Sequence, residues 1–170
     1  GGQIESVSWN TADGFAAALN AFIGQNYGAG KMDRVKKGYR ASLWTVGVWG
    51  LLITLAFVLL PGPIAKIFFY ETEAISIAVG YLIIIGFCEG FMCEELMTVG
   101  ALSGLGRTRL CSIISISFTS ARIPLAILLG GRMGLTGIWW AFSSTSIVKG
   151  IIFVLTFFYI TRETENSAVR

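Results

Sequence analysis

The stretch ASLWTVGVWGLLITLAFVLLPGP, residues 41–63, decides how the chain is read. From 41 to 60 it contains no charged residue. A helix that crosses a bilayer needs about 20 predominantly apolar residues. This run supplies them before Pro61-Gly62-Pro63, a strong stop signal. Working outward, further apolar runs cover 4–30, 74–104, 110–129 and 137–160, and a polar tail follows at 161–170.

The totals point the same way. Of 170 residues, 54% are hydrophobic and 14% charged, where ordinary soluble domains carry roughly 25% charged residues. Mean hydropathy is +0.70, and 21 glycines beside 12 phenylalanines fit membrane usage. The expected fold class is therefore all-α: a polytopic transmembrane helix bundle of about five spans. The chain opens as GGQIES with no initiator Met, and we expect it to be a C-terminal piece of a longer protein.

Charge is distributed by side. Lys31, Arg34, Lys36, Lys37 and Arg40 follow the first span, Arg107 and Arg109 the third, and Arg162 and Arg170 the fifth. The opposite ends carry only Lys66 and Arg132. By the positive-inside rule, the first, third and fifth spans end in the cytoplasm. The C-terminus is then cytoplasmic, and 161–170 is a cytoplasmic tail.

Several chemistries are disfavoured. There is no histidine, which removes imidazole acid/base and imidazole metal chemistry. Cys88, Cys93 and Cys111 lie in or beside apolar runs, with spacings that suit neither a zinc knuckle nor a redox pair. They are expected to be small buried hydrophobes. GQNYGAGK, residues 24–31, has five residues between Gly24 and Gly30 and Met32 after Lys31, so it is not a phosphate-binding loop. It reads as a glycine-capped helix end followed by a basic anchor for headgroups. Gly100 and Gly104 form a GxxxG, a packing signal for membrane helices. No motif calls for a cofactor, and no enzyme is expected.

The charges inside the apolar runs carry most of the functional information. Each costs roughly 2.5–3.5 kcal/mol at a bilayer centre on insertion scales, so such groups face a bundle interior or a wet cavity. GFCEGFMCEELMTVGALSGLGRTR, residues 86–109, holds Glu89, Glu94 and Glu95. At 100° per residue, Glu94 lies about 140° and Glu95 about 240° from Glu89, so no single face holds all three. Either the helix breaks near Gly86 or Gly90, or it is buried on several sides, or one acid reaches the interface. Arg122 and Lys149 lie in the last two spans. At ~1.5 Å per residue from the basic end, Glu89 is ~22 Å deep, Arg122 ~18 Å, Lys149 ~16 Å and Glu95 ~14 Å. Arg122 is thus placed to meet Glu89, and Lys149 to meet Glu94 or Glu95, as structural ion pairs. Three acids against two bases leave one carboxylate over, the candidate for binding a proton or cation. Pro124, inside the fourth span, is either a static bend or a hinge.

GFAAALNAFIGQNYGAGKMDRV (14–35) resembles a helix end and loop of the multidrug and toxic compound extrusion (MATE) family. FMCEELMTVGALSGLGRTR (91–109) is similar to its later counterpart, and RIPLA (122–126) and GLTGIWWAFSSTSIVKG (134–150) to the last two helices of the bacterial branch. The resemblance covers nearly the whole chain. It implies the last five helices of a twelve-helix transporter, most of its C-terminal lobe, spanning 1–170. It further implies a multi-pass protein of the bacterial inner membrane that exports drugs or organic cations in exchange for Na⁺ or H⁺.

By the same resemblance, Glu95 matches a glutamate recurring in some bacterial members, and Glu5 resembles an acid near the start of the lobe. Met92 stands where some members carry a cation-binding aspartate, and a proline common in the first of these helices is absent. The implied coupling-ion residues are Glu95, with Glu94, Glu89 and Glu5, and Glu95 is expected to be the unpaired acid. The implied partners are membrane lipids, the N-terminal lobe and a small lipophilic cation, with no nucleic acid. Two alternatives are a related flippase for lipid-linked oligosaccharides and a non-transporting membrane assembly subunit.

Overall fold

The computed structural model describes residues 2–168, so Arg170 lies outside it. Six helices follow one another: α1 Gly2–Gly28, α2 Met32–Leu59, α3 Pro61–Phe68, α4 Thr72–Gly104, α5 Thr108–Met133 and α6 Leu135–Ala168. There is no strand among the described residues. Four helices are long and apolar enough to cross a membrane: Met32–Leu59, Thr72–Gly104, Thr108–Met133 and Leu135–Thr164. The remaining expected span, α1, has 27 residues but is too polar to join those four. It carries Glu5, Ser8, Asn10 and Asp13.

Two elements differ from expectation. Pro61-Gly62-Pro63 does end α2, but it also starts α3, with proline in the first turn. A helix N-terminus tolerates proline because the missing N–H would have no partner there. The tail expected from 161 onward is helical through Ala168. No glycine or proline occurs after Gly150, so nothing in the sequence stops α6.

α4 is the axis of the bundle and touches all five other helices. Its glycines permit this. A Cβ on Gly50 of α2 would lie 2.7 Å from the Gly90 Cα of α4. One on Gly104 would lie 2.7 Å from the Asn20 carbonyl oxygen of α1, and one on Gly100 would strike the Ala16 carbonyl. The GxxxG pair therefore does bring two backbones together, α4 against α1. On the opposite flank Gly150 of α6 admits the Phe91 carbonyl, 2.7 Å from where its Cβ would be. By contrast no residue in the apolar window of α5 is buried, and α5 packs mainly on α6.

Aromatic packing locks α2, α4 and α6 at the basic end. Tyr39 and Phe157 are fully buried and stack with centroids 3.6 Å apart. The Tyr39 hydroxyl lies 2.9 Å from Thr98 Oγ1, so the polar tip keeps a partner inside the core. A second cluster, Ile4, Phe57, Ala65, Ala78 and Leu82, closes the other end beneath α3.

The two turns at the basic end share one construction. Lys31 N–H donates to the Asn26 carbonyl and Gly30 N–H to that of Tyr27. Arg107 and Gly106 repeat the pattern onto Leu102 and Ser103. Both are Schellman caps, with glycine at φ 71° and 74° where a side chain would be strained. GQNYGAGK is thus a helix cap, as its sequence indicates.

Candidate functional site

α4 runs unbroken past Gly86 and Gly90, so of the three ways to house its acids the structure adopts burial on several sides. The angles from the sequence correspond to three different neighbours. Glu89 faces α1, Glu94 faces α2 and Glu95 faces α6.

Glu95 is paired. Its Oε1 lies 2.8 Å from Lys149 Nζ, with the side chains 16% and 11% exposed. Lys149 belongs to a polar stripe on α6 with Thr145 and Ser146. Arg122 of α5 donates from Nε to Thr145 Oγ1 at 2.9 Å and from an amino group to Ser146 Oγ at 3.0 Å. Its guanidinium also lies 4.0 Å from the centroid of the Phe142 ring. This quarter contains two bases and one acid.

Two expectations are corrected here. Arg122 does not meet Glu89, although their depths match. α5 packs on α6, whereas Glu89 points to the opposite flank of α4, toward α1. Nor is Glu95 the spare carboxylate, because Lys149 reaches it rather than Glu94.

Glu89 is fully buried. Its Oε1 accepts a hydrogen bond from the Ser8 hydroxyl of α1, and its Oε2 has no partner among the described residues. Glu5 lies one turn before Ser8 and is 8% exposed. It accepts from the Tyr81 hydroxyl of α4, and the Tyr81 ring meets Trp139 edge-on at 5.4 Å. Glu5 and Glu89 are within electrostatic reach of each other. No lysine or arginine pairs with either among the described residues. Met92, packed with Ile85 and Cys88, stands one turn beyond Glu89.

Glu94 is half-buried, and its carboxylate has no ion-pair partner among the described residues. It borders a 310 Å³ cavity with Leu43, Trp44 and Leu51 of α2. A Cβ on Gly47 would lie 3.0 Å from its Oε1, so the glycine makes room for the carboxylate. Pro124 lies inside the continuous helix α5. Cys88, Cys93 and Cys111 are free and buried. Ser8 and Tyr81 were not singled out from the sequence. The available signal was spacing: Ser8 is three residues after Glu5, and Tyr81 two turns before Glu89.

An oxyanion pair with two hydroxyls and no base is a set of oxygen donors suited to a proton or a small hard cation. The Glu95 quarter, already neutralised by lysine, is suited to holding α4, α5 and α6 in register.

Comparison with known proteins gives the family and the fold. The chain is 29% identical to a probable multidrug resistance protein NorM of Thermotoga maritima, over 98% of its own length and 36% of that protein. It is 24% identical to multidrug and toxin extrusion protein 1 of Danio rerio, over 99% of its length and 29% of the relative. The chain thus spans about a third of the length of these curated relatives. A solved structure described as the inward-facing conformation of a multidrug resistance MATE family transporter of the MOP superfamily superposes with a TM-score of 0.87. That match has 18% identity and covers 96% of this chain and 39% of that one. It shows the fold: an all-helical, multi-pass membrane architecture. The MatE family signature matches residues 3–128, and the chain belongs to the MatE family.

Proposed function

We propose that this chain is part of a secondary antiporter that exports drugs or organic cations in exchange for Na⁺ or H⁺. One observation carries the reading: Glu5 and Glu89 are buried between α1 and α4 with hydroxyl partners and, among the described residues, no base. Two uncompensated carboxylates in an apolar interior favour uptake of a positive charge. The multidrug resistance names of the relatives point to the same kind of cargo.

The proposed mechanism uses this chain's own groups. With Glu89 neutralised by a proton or Na⁺, α1 and α4 stay closed on each other through Ser8 and Tyr81. Loss of that charge leaves two carboxylates repelling across the interface and favours a second arrangement of the lobe. A ligand or ion shifts such an equilibrium only by its differential affinity for the two states. Glu94, beside an apolar cavity, is a further candidate for contact with ion or cargo, and Pro124 for flexing of α5. Lys149 and Arg122 hold the register, with Glu95 as counter-ion. The reading implies an inner-membrane location with a cytoplasmic C-terminus, which the nine basic residues of that end support.

The test is export of a fluorescent lipophilic cation from proteoliposomes holding the full-length protein. Export driven by an imposed sodium or proton gradient is expected. If neither gradient drives export of any of several organic cations, the reading fails.

A further inference from the structure

A large cleft lies away from all these acids. It has a volume of 890 Å³ and opens at the basic end, between the end of α1, the start of α5 and the last turns of α6. Arg107 and Arg109 stand on its rim, both exposed and without an ion-pair partner among the described residues. Tyr27 and Tyr159 flank them. One turn deeper the wall becomes apolar, with Ile113 on α5 and Leu155 on α6. Ile113 is ~6 Å below Arg109 along the helix, and Leu155 ~6 Å below Tyr159. Glu163 also lines the rim, which leaves these three charges with a net +1.

We propose that this cleft is a binding site for an anionic phospholipid of the surrounding membrane. Three features select that ligand. The rim offers two guanidiniums, each able to take phosphate through paired N–H donors. The wall below is apolar and belongs to helices that cross the membrane, so an acyl chain lying there replaces lipid with lipid at no cost in exposure. Tyrosines at this level suit the headgroup layer, where amphipathic rings settle. A soluble anion would use the rim and leave the apolar wall uncovered. Basic pockets between membrane helices are a known way to hold acidic headgroups. A lipid seated here would bridge α1, α5 and α6. It would brace α5, whose apolar window is otherwise without buried residues.

The test is native mass spectrometry of the full-length protein after exchange into detergent with added phosphatidylglycerol or phosphatidylcholine. The wild type is expected to retain phosphatidylglycerol in preference to phosphatidylcholine. At about fivefold in affinity per guanidinium near a charged surface, the R107Q/R109Q double variant is expected to lose roughly thirtyfold in retention. R107K/R109K, which keeps the charge, should recover much of it. Ile113→Trp keeps both arginines and fills the wall, and is expected to lower retention severalfold. R34Q/K37Q removes equal charge from the start of α2, outside the cleft, and should leave the preference in place. Thermal melting in detergent checks that each variant is folded. Equal retention of the two lipids by the wild type would overturn the proposal. So would unchanged retention in Ile113→Trp, or full displacement by millimolar inorganic phosphate, which would make the cleft a soluble-anion site.

Discussion

Two of the acids on α4 keep very different company. On the α6 flank Glu95 is held by Lys149 at 2.8 Å, with Arg122 nearby on Thr145 and Ser146. On the α1 flank Glu89 and Glu5 share an interior with Ser8 and Tyr81 and, among the described residues, no base. The difference separates two uses of charge in an apolar interior. A carboxylate held by a lysine has its counter-charge supplied within the fold and suits fixing register. A carboxylate with only hydroxyls must acquire its positive charge from outside, and so suits exchange.

The largest expected effect breaks the unpaired side. Glu89→Gln in the full-length protein should abolish ion-coupled export while the protein stays folded, because the substitution removes a buried charge rather than leaving one exposed to apolar surroundings. Export in vesicles and thermal melting check the two halves of that statement. The next breaks the paired side. Lys149→Met leaves Glu95 without its cation and should cost about 3–5 kcal/mol, whereas Glu95→Gln with Lys149→Met should recover most of it. Unfolding in detergent measures both, and an unaffected single variant would remove the register role.

Smaller effects sharpen the contrast. Gly50→Ala forces α2 off α4 at Gly90 and should cost about 1–3 kcal/mol by overpacking. Gly131→Ala meets nothing within 4 Å and should be neutral or stabilising by up to about 1 kcal/mol. Tyr81→Phe removes one hydrogen bond to a carboxylate, worth about 1.5–3 kcal/mol, and should move apparent coupling-ion affinity by roughly tenfold or more without melting the protein. Ion titration of export in this variant reads the shift, and an unchanged affinity would separate Tyr81 from the site.

Much of the fold was legible because hydropathy is a local, additive signal. Residues 41–60 announce a span by themselves, and Gly30 announces a helix end. α3 was not, since five residues after the prolines are too few to show a period. α6 continues beyond its apolar run because its polar residues say nothing against helix once packing begins upstream. At the site, 100° per residue correctly separated Glu89, Glu94 and Glu95 onto three faces. It could not say which helix covers each face, because that is set by contacts between residues far apart in sequence. Lys149 therefore remained ambiguous between two glutamates, and Arg122 was matched to Glu89 on depth alone. Ser8 and Tyr81 went unseen because a hydroxyl in an apolar helix is common, and only its burial against an acid gives it meaning.

The most direct test sets the two flanks against each other in the full-length protein. Gradient-driven export of a fluorescent cation is measured for Glu89→Gln and for the Glu95→Gln/Lys149→Met pair, in vesicles carrying equal folded protein. The account predicts that the first loses coupled export and the second keeps it. Coupled export surviving in Glu89→Gln and lost in the neutralised pair would contradict it.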